Sequence, residues 1–217
     1  MKNLFKPLFA LAIIAATFTS CMEKDNTDYD AENLKSEQRM DSLLSAENNR
    51  IQTYLAANSA SAWIKDTITF SYRFLDKKPT RGIYYQVVSE PTDNTYEYKI
   101  TNTGASLSIV MPKLKLKYKA SLLDGTVVQS DETGSDYSLG VSNPAIFNDA
   151  WFYSFLPYSI KFNNQDYYIY GLTKNGLKKG SKFKMVTPSL WAFKSSSTAK
   201  MPANSPLVYE FEVMTIE

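Results

Sequence analysis

The sequence predicts an α+β fold, with one long helix followed by a mainly antiparallel β-sheet. Apolar residues recur at helical spacing between positions 33 and 58, and Glu, Lys and Gln lie between them. From Trp63 onward the spacing changes to alternation, and β-branched and aromatic residues become frequent. With 44% hydrophobic and 14% aromatic residues, a chain of 217 residues can bury a core beneath such a sheet.

The predicted amphipathic helix occupies residues 34–62. Its apolar stripe is typical of a helix that packs against its own domain. A coiled-coil dimer is the alternative, but the stripe contains too few heptads to favour it. The stripe consists of Leu34, Met40, Leu43, Leu44, Ile51, Tyr54 and Leu55.

Three later segments have the composition of strands. Residues 68–74 alternate between apolar and polar side chains, and residues 83–88 are rich in aromatic and β-branched types. Residues 114–120 alternate with lysines on one face, which predicts a strand with one buried side. Asp124 and Gly125 follow directly, and an Asp-Gly pair between apolar runs predicts a hairpin turn.

The N-terminus is typical of a bacterial lipoprotein signal. Residues 1–20 carry two lysines and then a short apolar run, which is too short to span a bilayer before the charged residues that follow. The pattern predicts lipidation of Cys21, a polar tether over residues 21–33 and attachment to a membrane of the cell envelope. We expect the outer membrane, on its periplasmic or its surface face. A secreted protein with a free thiol is the alternative.

Composition excludes several kinds of site. The chain has no histidine and a single cysteine, so it lacks Ser-His-Asp and Cys-His nucleophiles and His-based or multi-cysteine zinc sites. We therefore expect no metal and no cofactor. Removing residues 1–20 takes away two of the 24 basic residues and leaves 22 against 22 acidic ones. This balance argues against nucleic acid as a partner.

Several motifs resemble FKBP-type peptidyl-prolyl isomerases. The resemblance covers roughly residues 82–217 and is densest in the last forty residues, where their spacing is that of the family's closing segment. The matching segments are Arg81–Val88, Leu114–Ser130, Tyr137–Gly140, Gly176–Gly180, Met185–Phe193 and Met201–Val213. The resemblance implies an FKBP-like twisted antiparallel sheet around a short helix, within a domain that spans residues 63–217.

The resemblance also implies an activity that this composition allows. Rotation about a prolyl amide meets a barrier of roughly 18–20 kcal/mol, because the planar form is stabilised by resonance. An enzyme for this step needs no nucleophile and no metal. It needs a dry apolar slot that holds the proline ring and favours the twisted amide.

By this resemblance, three residues occupy catalytic positions of the pocket, namely Tyr118, Tyr137 and Phe193. Six more occupy substrate-binding positions: Val128, Gln129, Ile169, Leu172, Met201 and Tyr209. The family's Phe-Asp pair is replaced by Val128 and Gln129, which removes a carboxylate. Phe193 lacks the hydroxyl of the family's tyrosine, and Leu172 stands in place of the aromatic residue beneath the pocket.

One segment exceeds the family pattern. Residues 141–168 form an aromatic insertion where the family has a short connection. Such a segment adds to the core or, alternatively, forms a lid or a stacking platform beside the pocket.

Three functions follow as hypotheses. The first is a membrane-anchored prolyl isomerase or folding helper that acts on proline-containing segments of exported proteins. The second is a binding module of the same fold with weakened catalysis, which is suggested by Gln129 and Phe193. The third is sugar binding through an exposed Trp151 and neighbouring tyrosines.

Overall fold

The computed structural model describes residues 28–59, 62–104, 106–139 and 147–217. The predicted signal peptide, Cys21 and most of the tether lie outside these residues. The helices are α1 (Tyr29–Ala57) and α2 (Asp149–Phe155), and a 3-10 turn spans Ser189–Trp191. The strands are β1 (Ile64–Lys65), β2 (Tyr84–Ser89), β3 (Ile100–Asn102), β4 (Leu107–Ile109), β5 (Lys113–Leu122), β6 (Val127–Ser138), β7 (Ser159–Phe162), β8 (Gln165–Tyr168), β9 (Lys182–Thr187) and β10 (Leu207–Ile216).

The fold is α+β, as the sequence predicts. Six strands form one sheet in the order β1-β2-β9-β10-β5-β6, and every neighbouring pair is antiparallel. The predicted turn joins β5 to β6, where the amide of Gly125 donates to the carbonyl of Leu122 at 3.0 Å. Gly125 has a φ of +89°, a left-handed conformation that glycine adopts without strain. Two small hairpins, β3-β4 and β7-β8, lie outside this sheet.

Helices cover both faces of the sheet, because successive residues of a strand point to opposite sides. The short helix α2 packs Trp151 and Phe155 against Phe211 of β10. The long helix α1 packs on the other face, where Ile51 and Leu55 contact Val186 of β9 and Val208 of β10. The apolar stripe of α1 therefore contacts the helix's own domain.

Polar contacts also attach α1 to the domain. The carboxylate of Glu37 accepts hydrogen bonds of 2.7–2.8 Å from three consecutive backbone amides, those of Arg73, Phe74 and Leu75. Lys77 forms a salt bridge of 2.7 Å with Asp41. These contacts fix the connection between β1 and β2 against the helix. None of the helices among the described residues is long and apolar enough to cross a membrane.

The prediction of a strand over residues 68–74 is wrong. The amides of Phe70 and Tyr72 donate to the carbonyls of Pro79 and Lys77, both at 3.0 Å, so the segment forms an irregular hairpin outside the sheet. The alternation arises because the rings of Phe70 and Tyr72 pack edge to face at 5.3 Å, while Ser71 between them faces solvent.

The aromatic segment 141–168 has two parts where the structure describes it. Trp151 and Phe155 of α2 are fully buried and belong to the main core. The β7-β8 hairpin and the residues beside it carry exposed rings instead: Tyr158 is 39% exposed, Tyr168 57% and Tyr170 46%. Trp151 and Phe155 therefore add to the core, as does Ile160 of β7, whereas the three tyrosine rings do not.

Candidate functional site

A cluster of aromatic rings lies between the first turn of α2 and the sheet. The ring centroid of Trp151 is 5.0 Å from that of Tyr118, 6.0 Å from Tyr137, 5.0 Å from Phe147 and 4.9 Å from Phe211. We call these five residues the ring cluster. Most of the contacts are edge to face, the geometry that aromatic quadrupoles favour. Trp151 has no exposed surface and is the centre of the cluster.

The N-terminus of α2 holds the parts of this site together. Asn148 caps the helix, and its Nδ2 donates to the hydroxyl of Tyr209 at 2.8 Å. One residue later, a carboxylate oxygen of Asp149 lies 3.9 Å from Nζ of Lys194. This contact brings the loop that contains Phe193 to the same end of the helix. We call residues 188–194 the Phe193 loop.

A carboxylate borders the ring cluster. Asp131 lies directly opposite Tyr118 in the pairing of β5 with β6. Its Oδ2 accepts a hydrogen bond of 2.7 Å from the hydroxyl of Tyr137, and its Oδ1 accepts from the amides of Thr133 and Gly134 at 3.2 and 2.8 Å. Asp131 thus links the ring of Tyr137 to the backbone of its own strand.

The electrostatics of this pair favour one protonation state. Hydrogen bonds from Ser135, Tyr137 and the amide of Gly134 hold the pKa of Asp131 well below its usual value. Burial, and then the hydrogen bond to Asp131, raise the pKa of Tyr137 above that of a free phenol. Near neutral pH the pair is therefore a carboxylate that accepts from a neutral hydroxyl.

A bulge in β6 makes this arrangement possible. Lys117 of β5 faces residues 132–134, so β6 has two more residues here than its partner strand. The turn requires glycine at position 134, which has a φ of +89°. A Cβ atom there would also come within 2.6 Å of Sδ of Met214.

The structure places the predicted pocket residues at two depths. Tyr118, Met201 and Tyr209 are buried, with exposures of 7%, 3% and 0%. Tyr137 and Phe193 are half-buried and pack against the same core. The second pair is therefore the more exposed part of the predicted pocket.

Val128 and Gln129, which are predicted substrate-binding residues, lie on β6 just before Asp131. Val128 is half-buried and packs against the core, and Gln129 lies opposite Ala120 of β5. The carboxylate near the rings comes from Asp131, two residues further along β6. The sequence indicates this residue only through the run Asp-Glu-Thr-Gly, which is typical of a turn closed by an aspartate side chain.

Ile169 and Leu172 lie after α2, beyond the β7-β8 hairpin. Leu172 is buried in the core, where its amide donates to the carbonyl of Tyr153 at 2.8 Å. Tyr118 contacts the rings of Trp151 and Tyr137. The assignment of Leu172 to the substrate-binding site stays a prediction.

The expectation of an exposed Trp151 for sugar binding is also wrong, since this side chain is fully buried. The exposed tyrosines form a separate cluster. The ring centroids of Tyr158, Tyr168 and Tyr170 lie 5.7–5.9 Å apart on and beside the β7-β8 hairpin.

A groove of about 400 Å³ runs over the central strands of the sheet, and Tyr118, Asp131 and Phe211 of the site are among its lining residues. Lysine and glutamate side chains line most of it, and salt bridges such as Lys119–Glu210 at 3.3 Å cross it. This charged groove does not match an apolar proline ring. Within the described ranges, no three acidic or cysteine side chains converge as metal ligands would.

No protein-family profile and no curated protein matches the sequence. Solved structures do resemble it. A peptidyl-prolyl cis-trans isomerase from Pseudomonas syringae has a TM-score of 0.47 at 16% identity, over 82% of this chain and 95% of that one. FkpA from Escherichia coli has a TM-score of 0.44 at 18% identity, over 83% of this chain and 64% of that one. The three FKBP domains of wheat FKBP73 give 0.39 at 19% identity, over 62% and 44%.

All three TM-scores lie below 0.5, so the resemblance to FKBP-type peptidyl-prolyl isomerases rests on the sequence motifs and stays a prediction. The chain spans less than two thirds of the length of FkpA and of wheat FKBP73.

Proposed function

We propose that the protein binds proline-containing polypeptide segments at the ring cluster and promotes rotation about the prolyl bond. The observation that carries the proposal is the convergence of Tyr118, Tyr137 and Phe147 on Trp151, with the carboxylate of Asp131 beside them. Such a surface combines large apolar area with a few fixed polar groups, as small-ligand sites do.

The half-exposed rings define the side from which a substrate enters. Tyr137, Phe147 and Phe193 retain solvent contact, whereas Trp151, which contacts Tyr137 and Phe147, has none. A proline ring that packs on these side chains brings its amide out of water. Because the planar amide is the more strongly hydrated form, this transfer favours the twisted transition state.

Trp151 also offers an unused hydrogen-bond donor. Its Nε1 is buried and has no hydrogen-bond partner among the residues that the structure describes. Such a group costs about 1–3 kcal/mol relative to a paired one. A carbonyl oxygen of a bound peptide would satisfy it, and this gain supports a polar ligand at the base of the cluster.

Binding without turnover is the second candidate. Phe193 cannot donate the hydrogen bond that a tyrosine would offer to a bound carbonyl. One lost oriented hydrogen bond of about 1–3 kcal/mol corresponds to roughly tenfold to hundredfold in rate. We therefore expect slow catalysis, with peptide affinity retained.

The proposed clients are exported proteins, and the proposed location is the cell envelope, with attachment through a lipid on Cys21. The signal-like residues 1–20 support both proposals. Metabolic labelling with a radioactive fatty acid tests the anchor. Label in the wild-type protein and none in Cys21→Ser would support it, and equal label in both would contradict it.

Exchange spectroscopy by NMR tests the activity. A short peptide with one prolyl bond gives separate cis and trans signals, which exchange within about 10–100 s unaided. We expect faster exchange at protein concentrations near that of the peptide, and slower exchange with Trp151→Phe. The matched control is Trp63→Phe, a tryptophan that packs near α1 and outside the cluster. Unchanged exchange with peptide bound favours the second candidate, and no binding contradicts both.

A further inference from the structure

A buried carboxylate connects α1 to the Phe193 loop. Glu47 carries a carboxylate, yet it is only 1% exposed, on the side of α1 that packs against the sheet. Its Oε2 accepts from the amide of Ser189 at 2.8 Å, and its Oε1 accepts from the hydroxyl of the same residue at 2.6 Å. Both carboxylate oxygens are thus used on one residue, 142 positions later in the chain.

Adhesion of α1 does not require this carboxylate. Leu44, Ile51 and Leu55 are buried along the same helix, and Ile51 and Leu55 pack on Val186 and Val208 of the sheet. An apolar side chain at position 47 would continue the same stripe without the cost of burying a charge. What the glutamate adds is direction, because two short hydrogen bonds define where Ser189 must lie.

Ser189 in turn organises the loop. Its carbonyl accepts from the amides of Ala192 and Lys194 at 3.0 and 2.8 Å, which closes the turn around Phe193. The carbonyl of Lys194 accepts from the amide of Asn204 at 3.0 Å, so the following segment is tied to the same turn. Glu47 therefore binds directly to Ser189, the residue at the base of the turn that contains Phe193.

We propose that Glu47 is a positioning residue, through which the N-terminal helix sets the Phe193 loop in its peptide-binding geometry. This inference rests on the proposed function, since the loop matters to activity only if the ring cluster receives a peptide. Glu47 acts through Ser189 and does not touch the substrate. The helix then belongs to the functional unit although it lies on the opposite face of the sheet from α2.

Three variants of the full chain separate positioning from simple stabilisation. Glu47→Ala removes both hydrogen bonds. Glu47→Gln keeps them, because its amide oxygen can accept from the Ser189 amide and its amide nitrogen can donate to the Ser189 hydroxyl. Ile51→Val is the matched control, since it weakens the packing of α1 without touching the loop.

The readouts are the Kd and KM for a proline peptide, kcat, and the backbone amide signal of Phe193 by NMR. We expect Glu47→Ala to raise Kd and KM about tenfold, with a smaller change in kcat, and to shift the Phe193 signal. Glu47→Gln should stay within about twofold of wild type. Ile51→Val should lower thermal stability and leave the Phe193 signal and Kd unchanged.

Ser189→Ala keeps the test decisive if Glu47→Ala does not fold. It removes only the hydroxyl, and we expect the same shift of the Phe193 signal with about a threefold rise in Kd. The inference is overturned if Ser189→Ala, or a folded Glu47→Ala, leaves the Phe193 signal and Kd at wild-type values. Failure of the proposed function looks different, because wild type would then neither bind nor turn over the peptide, while the Phe193 signal would still report on the loop.

Discussion

The hydroxyl of Tyr137 donates to the carboxylate of Asp131 at 2.7 Å, across the bulge of a single strand. Asp131 is itself held by the amides of Thr133 and Gly134. The carboxylate therefore has a fixed position, and its hydrogen bond orients the ring of Tyr137. That ring lies 6.0 Å from the rings of both Tyr118 and Trp151, so the orientation of one side of the ring cluster depends on this bond.

Removing the carboxylate should disorder this side of the cluster. We expect Asp131→Ala and Tyr137→Phe each to weaken binding of a proline peptide, by about tenfold for Asp131→Ala, as measured by calorimetry. The double variant should bind the peptide no more weakly than Asp131→Ala, because both single changes break the same hydrogen bond. Asp124→Ala is the control, since Asp124 closes a similar turn by accepting from Thr126 far from the rings. Equal losses in the control would contradict this account.

Glu47 should make stability depend on pH. Burial outweighs the hydrogen bonds from Ser189 and the nearby Arg50, and raises the pKa of Glu47 above 4.5. A raised pKa means that the folded state binds the proton more readily than the unfolded state. The stabilising contribution is thus complete below the ordinary glutamate pKa and is lost as the pH rises through the folded pKa. Urea unfolding from pH 4 to pH 7 should show Glu47→Gln gaining stability relative to wild type.

Glu37 is the control, because its pKa shifts in the opposite direction to that of Glu47. Burial alone would raise its pKa, but hydrogen bonds from the amides of Arg73, Phe74 and Leu75 lower it. Its contribution to stability is present above the ordinary glutamate pKa and is lost as the pH falls through the folded value. Glu37→Gln should therefore lose its effect at low pH. A constant difference between Glu47→Gln and wild type at every pH would contradict the first prediction.

Trp151 should dominate the stability of the domain as well as its site. Trp151→Ala removes a fully buried indole, and we expect a loss of about 3–5 kcal/mol in the free energy of unfolding by urea titration. Trp151→Phe should lose less, because a ring remains between Tyr118 and Phe211. Trp63→Ala serves as the comparison, since Trp63 is only partly buried beside α1. A similar small loss in all three variants would show that the ring cluster is not the centre of the core.

The buried pair of Arg81 and Asp66 should matter far more than a surface pair of similar geometry. Their side chains are 2.6 Å apart and almost fully buried, and the guanidinium also lies over the ring of Tyr153. Removing one partner leaves a buried charge, so Asp66→Ala should cost about 3–5 kcal/mol in thermal or urea unfolding.

The exposed pair of Lys77 and Asp41 is the matched control for this change. Nζ of Lys77 lies 2.7 Å from Oδ1 of Asp41, and the lysine side chain is half exposed. We expect Asp41→Ala to cost at most about 1 kcal/mol. Equal costs for the two pairs would mean that burial does not set their strength.

The sequence was sufficient for the elements with local signals. Alternating lysines predict β5, the Asp-Gly pair predicts the turn into β6, and the apolar stripe predicts α1. The resemblance implies a short helix, but the sequence does not predict its position, because the seven residues of α2 contain less than two full turns and no clear periodicity. Its aromatic residues therefore look like part of an insertion.

The missed functional residues depend on pairings that are distant or irregular. Asp131 reaches the ring cluster only because a bulge shifts the register of β6, and a shift of this kind has no marker apart from the turn residues themselves. Glu47 reads as one more polar residue of an amphipathic helix. Its partner Ser189 is recognised only when the chain has folded.

The central claim is that the ring cluster receives a proline ring, and the indole signal of Trp151 tests it most directly. The three tryptophans can be assigned in a ¹H-¹⁵N spectrum with one Trp→Phe variant each. Addition of a proline peptide should shift the Trp151 signal in a saturable manner, and the same peptide with alanine in place of proline should leave it unchanged. Saturable binding of the proline peptide with no change at Trp151, or equal shifts with both peptides, would contradict the claim.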